Sequence, residues 1–154
     1  KLLKTIKGNK TLSWTQKKLK KATGYKYQIK AYNLVKGKKV VIAQSVSVYA
    51  ITKGGKYCVT DTIKITKLAG KKVSTNSLKL TLKNGKTAQI IAAETPAEKN
   101  KTIKCYRGLC YESSNSKVAT VTKNGKIKAV KKGTCKIYVY AQNGVYKTIT
   151  ITVK

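Results

Sequence analysis

The stretch Ile137-Tyr138-Val139-Tyr140-Ala141-Gln142-Asn143-Gly144-Val145-Tyr146-Lys147-Thr148-Ile149-Thr150-Ile151-Thr152-Val153 decides the fold. Apolar and polar side chains alternate on either side of Asn143-Gly144. An extended chain sends successive side chains to opposite faces, so each half reads as a strand with one buried and one wet face. Asn-Gly accepts the positive φ angles of a type I′ turn, which makes the two halves a hairpin candidate. Working outward, Leu78-Lys-Leu80-Thr-Leu82 and Tyr25-Lys-Tyr27-Gln-Ile29-Lys-Ala31 alternate in the same way. Val40 to Thr52 reads as one long strand, and Asn84-Gly85 and Asn124-Gly125 as further hairpin turns. No stretch sustains a helical spacing. Short alternating strands with frequent turns predict an all-β sandwich or barrel.

Composition narrows the chemistry. The chain has 154 residues, 35 of them Lys or Arg and 4 Asp or Glu, with no His and a net charge of +31. Without His, imidazole catalysis, the usual triads and zinc–His sites are gone. Asp61, Glu94, Glu98 and Glu112 are too few and scattered for a calcium cage. No phosphate-cradling glycine loop is present, so no cofactor or metal is expected and the chain reads as a non-enzyme. No apolar run reaches the roughly 20 residues of a membrane span, and no signal-peptide pattern is present. A chain without Met that opens at Lys1 is expected to be a mature or excised form.

Lys53-Gly-Gly-Lys56 cannot pack a core and reads as a linker. It divides the chain into residues 1–55 and 56–154. The second piece has the length of a sandwich domain, whereas the first falls where a lone core is marginal.

Tyr111-Glu-Ser-Ser-Asn-Ser-Lys-Val-Ala-Thr-Val121 and Asn124-Gly-Lys-Ile-Lys-Ala-Val-Lys-Lys-Gly-Thr134 resemble the bacterial Ig-like group 2 domain. Leu78 to Ala93 is similar to that family's opening strands, and the resemblance covers about 61–154. Tyr111 stands where the family usually has Trp. Leu19-Lys-Lys-Ala-Thr-Gly-Tyr25-Lys-Tyr27-Gln-Ile29-Lys-Ala31-Tyr-Asn33 resembles the tyrosine-corner stretch of a fibronectin type III domain. Leu12 and Trp14 would lie on the strand before it, with Trp14 in the core. The opening strands of that fold are missing. The resemblances imply an Ig-like β-sandwich preceded by a truncated fibronectin type III-like half. Such a half exposes its apolar face, so a dimer through it, or a covering upstream segment, is expected.

Lysines mostly occupy the polar phase of the strands, among them Lys126, Lys128 and Lys136, with Lys131-Lys132 in a turn. One reading is solubility and edge protection. The sharper one is attraction to polyanions, with these five as contacts for an anionic cell-wall polymer or an acidic glycan. Specific nucleic-acid readout is disfavoured, because it leans on Arg forks and Arg107 is the single Arg. Tyr138 and Tyr140 share the phase opposite to Ile137 and Val139, and Tyr146 lies just across the turn. The three form a candidate glycan-contact ledge, weighed against ordinary cross-strand packing.

Four cysteines in a secreted-looking β protein point to disulfides, with three pairings open. The family's sandwich implies Cys110–Cys135, across its third and sixth strands, and Cys58–Cys105. Strand phase sets Cys110 opposite to Leu109 and Tyr111 while Cys135 is in phase with Ile137, so a bulge near Gly108 or Gly133 is required. An isopeptide cross-link, which needs a buried carboxylate, would have to use Glu94 or Glu112.

The resemblances imply a non-catalytic extracellular module, a surface, adhesion or spacer unit of a bacterial protein. The alternative is a carbohydrate-binding accessory module of a larger secreted hydrolase.

Overall fold

A computed structural model describes residues 2–8, 13–53, 58–72, 78–98 and 108–154. The regular elements among them are all strands. The first four are β1 (Gly24–Tyr27), β2 (Lys30–Val35), β3 (Lys38–Gln44) and β4 (Val48–Ile51). Then come β5 (Thr60–Leu68), β6 (Lys71–Lys72), β7 (Lys79–Leu82), β8 (Thr87–Pro96) and β9 (Cys110–Ser113). The last are β10 (Ala119–Val121), β11 (Lys126–Ala129), β12 (Gly133–Tyr140) and β13 (Tyr146–Val153).

Strands β5 to β13 build a two-sheet sandwich. One sheet runs β10-β11-β8-β5-β6 and the other β7-β13-β12-β9. All pairings are antiparallel except β13 with β7. The inward phase of each strand supplies the core: Ile63 and Ile65 of β5, Ile90 of β8, Ile127 of β11, Ile137 and Val139 of β12, and Ile149, Ile151 and Val153 of β13. These branched side chains suit a pleated surface buried on one face. Burying each fully is worth about 1.5–3 kcal/mol relative to exposure.

Tyr111, which stands where the family usually has Trp, packs against this core. Gly125 makes room for it. A Cβ there would lie 3.0 Å from the Tyr111 ring and 3.1 Å from the Ile90 carbonyl oxygen, and its φ is +77°.

The turns depart from expectation. Asn124-Gly125 and Asn143-Gly144 do close hairpins, β10–β11 and β12–β13. Only the glycine of each pair has positive φ, so neither is a type I′ turn. Asn84-Gly85 closes no hairpin: it joins β7 to β8, which lie in different sheets. Two-residue turns with both φ positive sit instead at Lys36-Gly37 and Ala69-Gly70. They close β2–β3 and β5–β6.

In the first part of the chain β1 pairs with β4 and β2 with β3. The single strand expected over Val40 to Thr52 is therefore two strands, and so is the run from Tyr25 to Ala31. Ser45 is the cause. Its Oγ accepts from the Ile29 N–H at 3.0 Å and donates to the Val46 carbonyl at 2.8 Å, replacing regular ladder bonds. The Tyr25 hydroxyl accepts from the Lys20 N–H at 3.0 Å, the local geometry of a tyrosine corner. Trp14 is 44% exposed, which corrects its expected place in a core. Among the described residues β2 and β3 leave apolar side chains uncovered, so Leu34 and Ile42 stand in solvent, as do Ile29 (76% exposed) and Val48. The linker expected at Lys53 to Lys56 lies, beyond Lys53, outside the described residues.

Candidate functional site

The outer face of the four-stranded sheet carries a cluster of aromatic side chains. Alternation sends Tyr138 and Tyr140 of β12 outward, opposite in phase to Ile137 and Val139. Register then sets Tyr140 across from Tyr146 of β13 on one side and from Cys110 of β9 on the other. Glu112 lies across from Tyr138. The three tyrosines expected as a ledge do come together: Tyr138 and Tyr140 stack at 5.6 Å between centroids, and Tyr146 tilts against both at 5.9 and 5.6 Å.

They do not form an open ledge. Tyr49 of β4 lies on Tyr140 at 5.0 Å, and Tyr140 is only 4% exposed. Tyr146 remains 55% exposed and Tyr138 half-buried. One member of the expected glycan platform is thus covered by the chain's own first segment, leaving two rings that meet at 57°.

Glu112 holds that segment in place. Its Oε1 pairs with the Lys26 ammonium and accepts from the Tyr49 hydroxyl at 3.1 Å. Its Oε2 accepts from the Ser47 N–H at 3.0 Å. Lys26 also lies 5.3 Å from the centroid of the Tyr49 ring. Burial alone would raise the Glu112 pKa, but hydrogen bonds from Lys26 and Ser47 and the charge of Lys26 outweigh it. The carboxyl therefore ionises below its ordinary range. Burial pushes the Tyr49 and Tyr140 hydroxyls the other way, helped by the negative charge of Glu112 beside both. An anchored, ionised Glu112 is unsuited to an isopeptide cross-link, whose carboxylate must relay protons. Gly144 completes the contact, because a Cβ there would come within 2.6 Å of the Tyr49 carbonyl oxygen.

The lysines singled out from the sequence are exposed but do not share a face. Lys126 and Lys128 lie on β11 in the five-stranded sheet, and Lys136 lies on β12 in the other. Lys131 and Lys132 occupy the crossover between the sheets.

Cys110 and Cys135 are free thiols, which corrects the expected bridge. The strands are neighbours as expected, but their register sets Cys110 against Tyr140 rather than Cys135. Five residues along a strand separate the thiols' rungs by about 17 Å, against the 4.4–6.8 Å Cα separation a disulfide tolerates. Cys135 instead faces the core. Cys58 is buried, while its expected partner Cys105 lies outside the described residues.

Sequence reasoning missed Lys26, Ser47, Tyr49 and Gly144 as a contact set. Lys26, Ser47 and Tyr49 meet Glu112 across 63 to 86 positions of the chain, and Gly144 meets Tyr49; no local pattern carries either contact. The one available signal was an acidic side chain on the outward phase of a strand in an otherwise basic chain.

Residues 68–153, more than half of the chain, match the family described as bacterial Ig-like domain (group 2). The fibronectin-like first half lies outside that match and remains a resemblance. A lacto-N-biosidase of Bifidobacterium bifidum is 38% identical over 74 residues, 48% of this chain. The chain spans only 6% of that enzyme's length. An intimin mutant of EHEC O157:H7 is similar at 21% identity, with TM-score 0.41 over 60% of this chain and 46% of that one. Domains 4 and 5 of the S-layer protein SbsC are similar at 15% identity, with TM-score 0.47 over 70% of this chain and 58% of that one.

Proposed function

This chain belongs to the bacterial Ig-like domain (group 2) family, and we propose that it is a non-catalytic extracellular surface or spacer module held by charge to an anionic cell-wall polymer or acidic glycan. The observation that carries the reading is the placement of charge. Outward positions of both sheets bear lysines, among them Lys64, Lys79, Lys126, Lys128 and Lys136, in a chain of net charge +31. Lysine offers point charges without fixed registry, so it suits a flexible polyanion better than a defined pocket ligand. The covered tyrosine cluster adds structural support: the sheet face that would stack a sugar is partly used to dock the first segment. Purified bacterial walls test the reading. The protein should cosediment with intact walls at low salt, and walls stripped of phosphate polymers and acidic glycans should no longer retain it. Equal retention on stripped walls would overturn the charge-based attachment.

The local identity to a lacto-N-biosidase favours a second reading, an accessory carbohydrate-binding module of a secreted hydrolase. A glycan array in moderate salt separates the two. A defined neutral glycan whose binding is lost on Tyr138→Ala and Tyr146→Ala would favour the accessory role.

The same proposal extends to self-association. The exposed apolar side chains of β2 to β4 support a dimer through the first half of the chain.

A further inference from the structure

Strand register arranges part of the lysine coat into a trough. On the outer face of the five-stranded sheet, β8 lies between β11 and β5. The outward residues of β8 are Thr87, Gln89, Ile91 and Ala93, none of them charged. Lys128 stands opposite Thr87 and Lys126 opposite Gln89 on one side. Lys67 stands opposite Ile91 and Lys64 opposite Ala93 on the other. All four lysines are exposed. Neighbouring strands lie about 4.8 Å apart, so the two lysine pairs stand on opposite sides of an uncharged floor about 10 Å across, offset along it, one pair beside Thr87 and Gln89 and the other beside Ile91 and Ala93. Glu94, the acidic residue of β8, is in register with the buried Ile63 and so shares the inward phase.

The positive charge continues past β5. Lys67 is directly opposite Lys72 of β6, and both are exposed. Like charges directly opposed across a sheet repel. A bound anion between them turns that repulsion into a site.

We infer that this trough is the binding track for a linear polyol phosphate, lying extended along β8 with successive phosphates at Lys128 and Lys126 beside one end of the strand and at Lys67 and Lys64 on the opposite side of the other end. The inference rests on the charge-based attachment proposed above and names its site and ligand class. The floor has no aromatic ring on which a sugar could stack, whereas the tyrosines lie on the other sheet. A chain without rings therefore fits better than a sulfated glycan. Spacing agrees. Lys126 and Lys128 are two residues, or six backbone bonds, apart, which spans about 7 Å. A glycerol phosphate repeat linked through its two terminal oxygens also has six backbone bonds.

The test compares two variants of equal net charge against poly(glycerol phosphate). One replaces Lys64, Lys67, Lys126 and Lys128 by Gln. The other replaces Lys79, Lys83, Lys136 and Lys147, which lie on or beside the other sheet. Circular dichroism and melting establish that both fold, and backbone NMR of the unaltered protein maps the contact independently. The trough variant should bind about 100-fold more weakly at low salt, with a log–log salt slope shallower by about 3. The other variant should stay within a few-fold of the original. In the unaltered protein, amide shifts should concentrate on Thr87 to Ala93 and Lys126 to Lys128. Equal losses in both variants, or shifts spread over both sheets, would overturn the trough and leave charge-based attachment standing. No binding by the unaltered protein would overturn both. Heparin seated in the trough more tightly than the polyol phosphate would overturn the ligand class.

Discussion

Replacing Glu112 by Gln should release the first segment from the sandwich without unfolding the sandwich. The carboxylate faces three donors: Lys26 and Tyr49 at one oxygen and the Ser47 N–H at the other. Gln keeps one acceptor and turns the other into a donor, so whichever way the amide settles, at least one partner is opposed by an N–H. An orphaned, part-buried donor costs about 1–3 kcal/mol. The lost ion pair with Lys26, whose side chain is 50% exposed, adds only about 0.2–1 kcal/mol after solvent screening. Docking should weaken by about 2–3 kcal/mol in all. Hydrogen exchange reads this directly: the Ser47 amide should exchange about 30- to 150-fold faster, at 1.4 kcal/mol per tenfold. Amides of Ile137 and Ile151, in the sandwich core, should be unchanged. The same clamp fixes a pH dependence. The folded pKa of Glu112 lies below its unfolded value, so its contribution is complete above the unfolded value of about 4.3. It is lost as pH falls through the folded pKa. Acid should therefore speed Ser47 exchange in the original protein beyond its intrinsic pH trend, and not in the Gln variant. An unchanged Ser47 amide, or equal acceleration at Ile137, would refute the clamp.

Gly144→Ala should also undock the segment, because its Cβ meets the Tyr49 carbonyl at 2.6 Å. Gly85→Ala, at φ +77° in open space, measures the backbone strain alone. If the two variants change Ser47 exchange equally, Gly144 has no docking role. Sedimentation should show self-association that strengthens with salt, as screening relaxes the repulsion between two chains of net charge +31; a monomer at every ionic strength would count against it. Thiol labelling should modify Cys110 before Cys135, whose burial raises its pKa and blocks access. A Cys110–Cys135 peptide from an unreduced digest would contradict the register of β9 on β12.

The sandwich was legible because alternation is a local signal. Ile137, Val139, Ile149, Ile151 and Val153 face inward where period two puts them. Turn chemistry was half legible. Asn-Gly marks a reversal of the chain, but whether the flanking strands pair depends on which sheet each joins, and Asn84-Gly85 leads from one sheet to the other. Lys36 and Ala69 adopt positive φ without the Asn that would announce it. The break at Ser45 turned on a side chain replacing a ladder bond, which propensity does not foresee. Phase correctly warned that Cys110 and Cys135 face opposite ways, but their axial offset follows from register alone. The tyrosine cluster was legible as a cluster, whereas its cover by Tyr49 is a contact across 91 positions of the chain.

The most direct test of charge-based attachment is calorimetric titration of the full chain with poly(glycerol phosphate) over a series of salt concentrations. With several lysines engaged, log K should fall linearly with log salt, by about 0.7 per phosphate neutralised, and binding should vanish near molar salt. Affinity that persists unchanged into molar salt, or no binding at the lowest salt, would contradict the account.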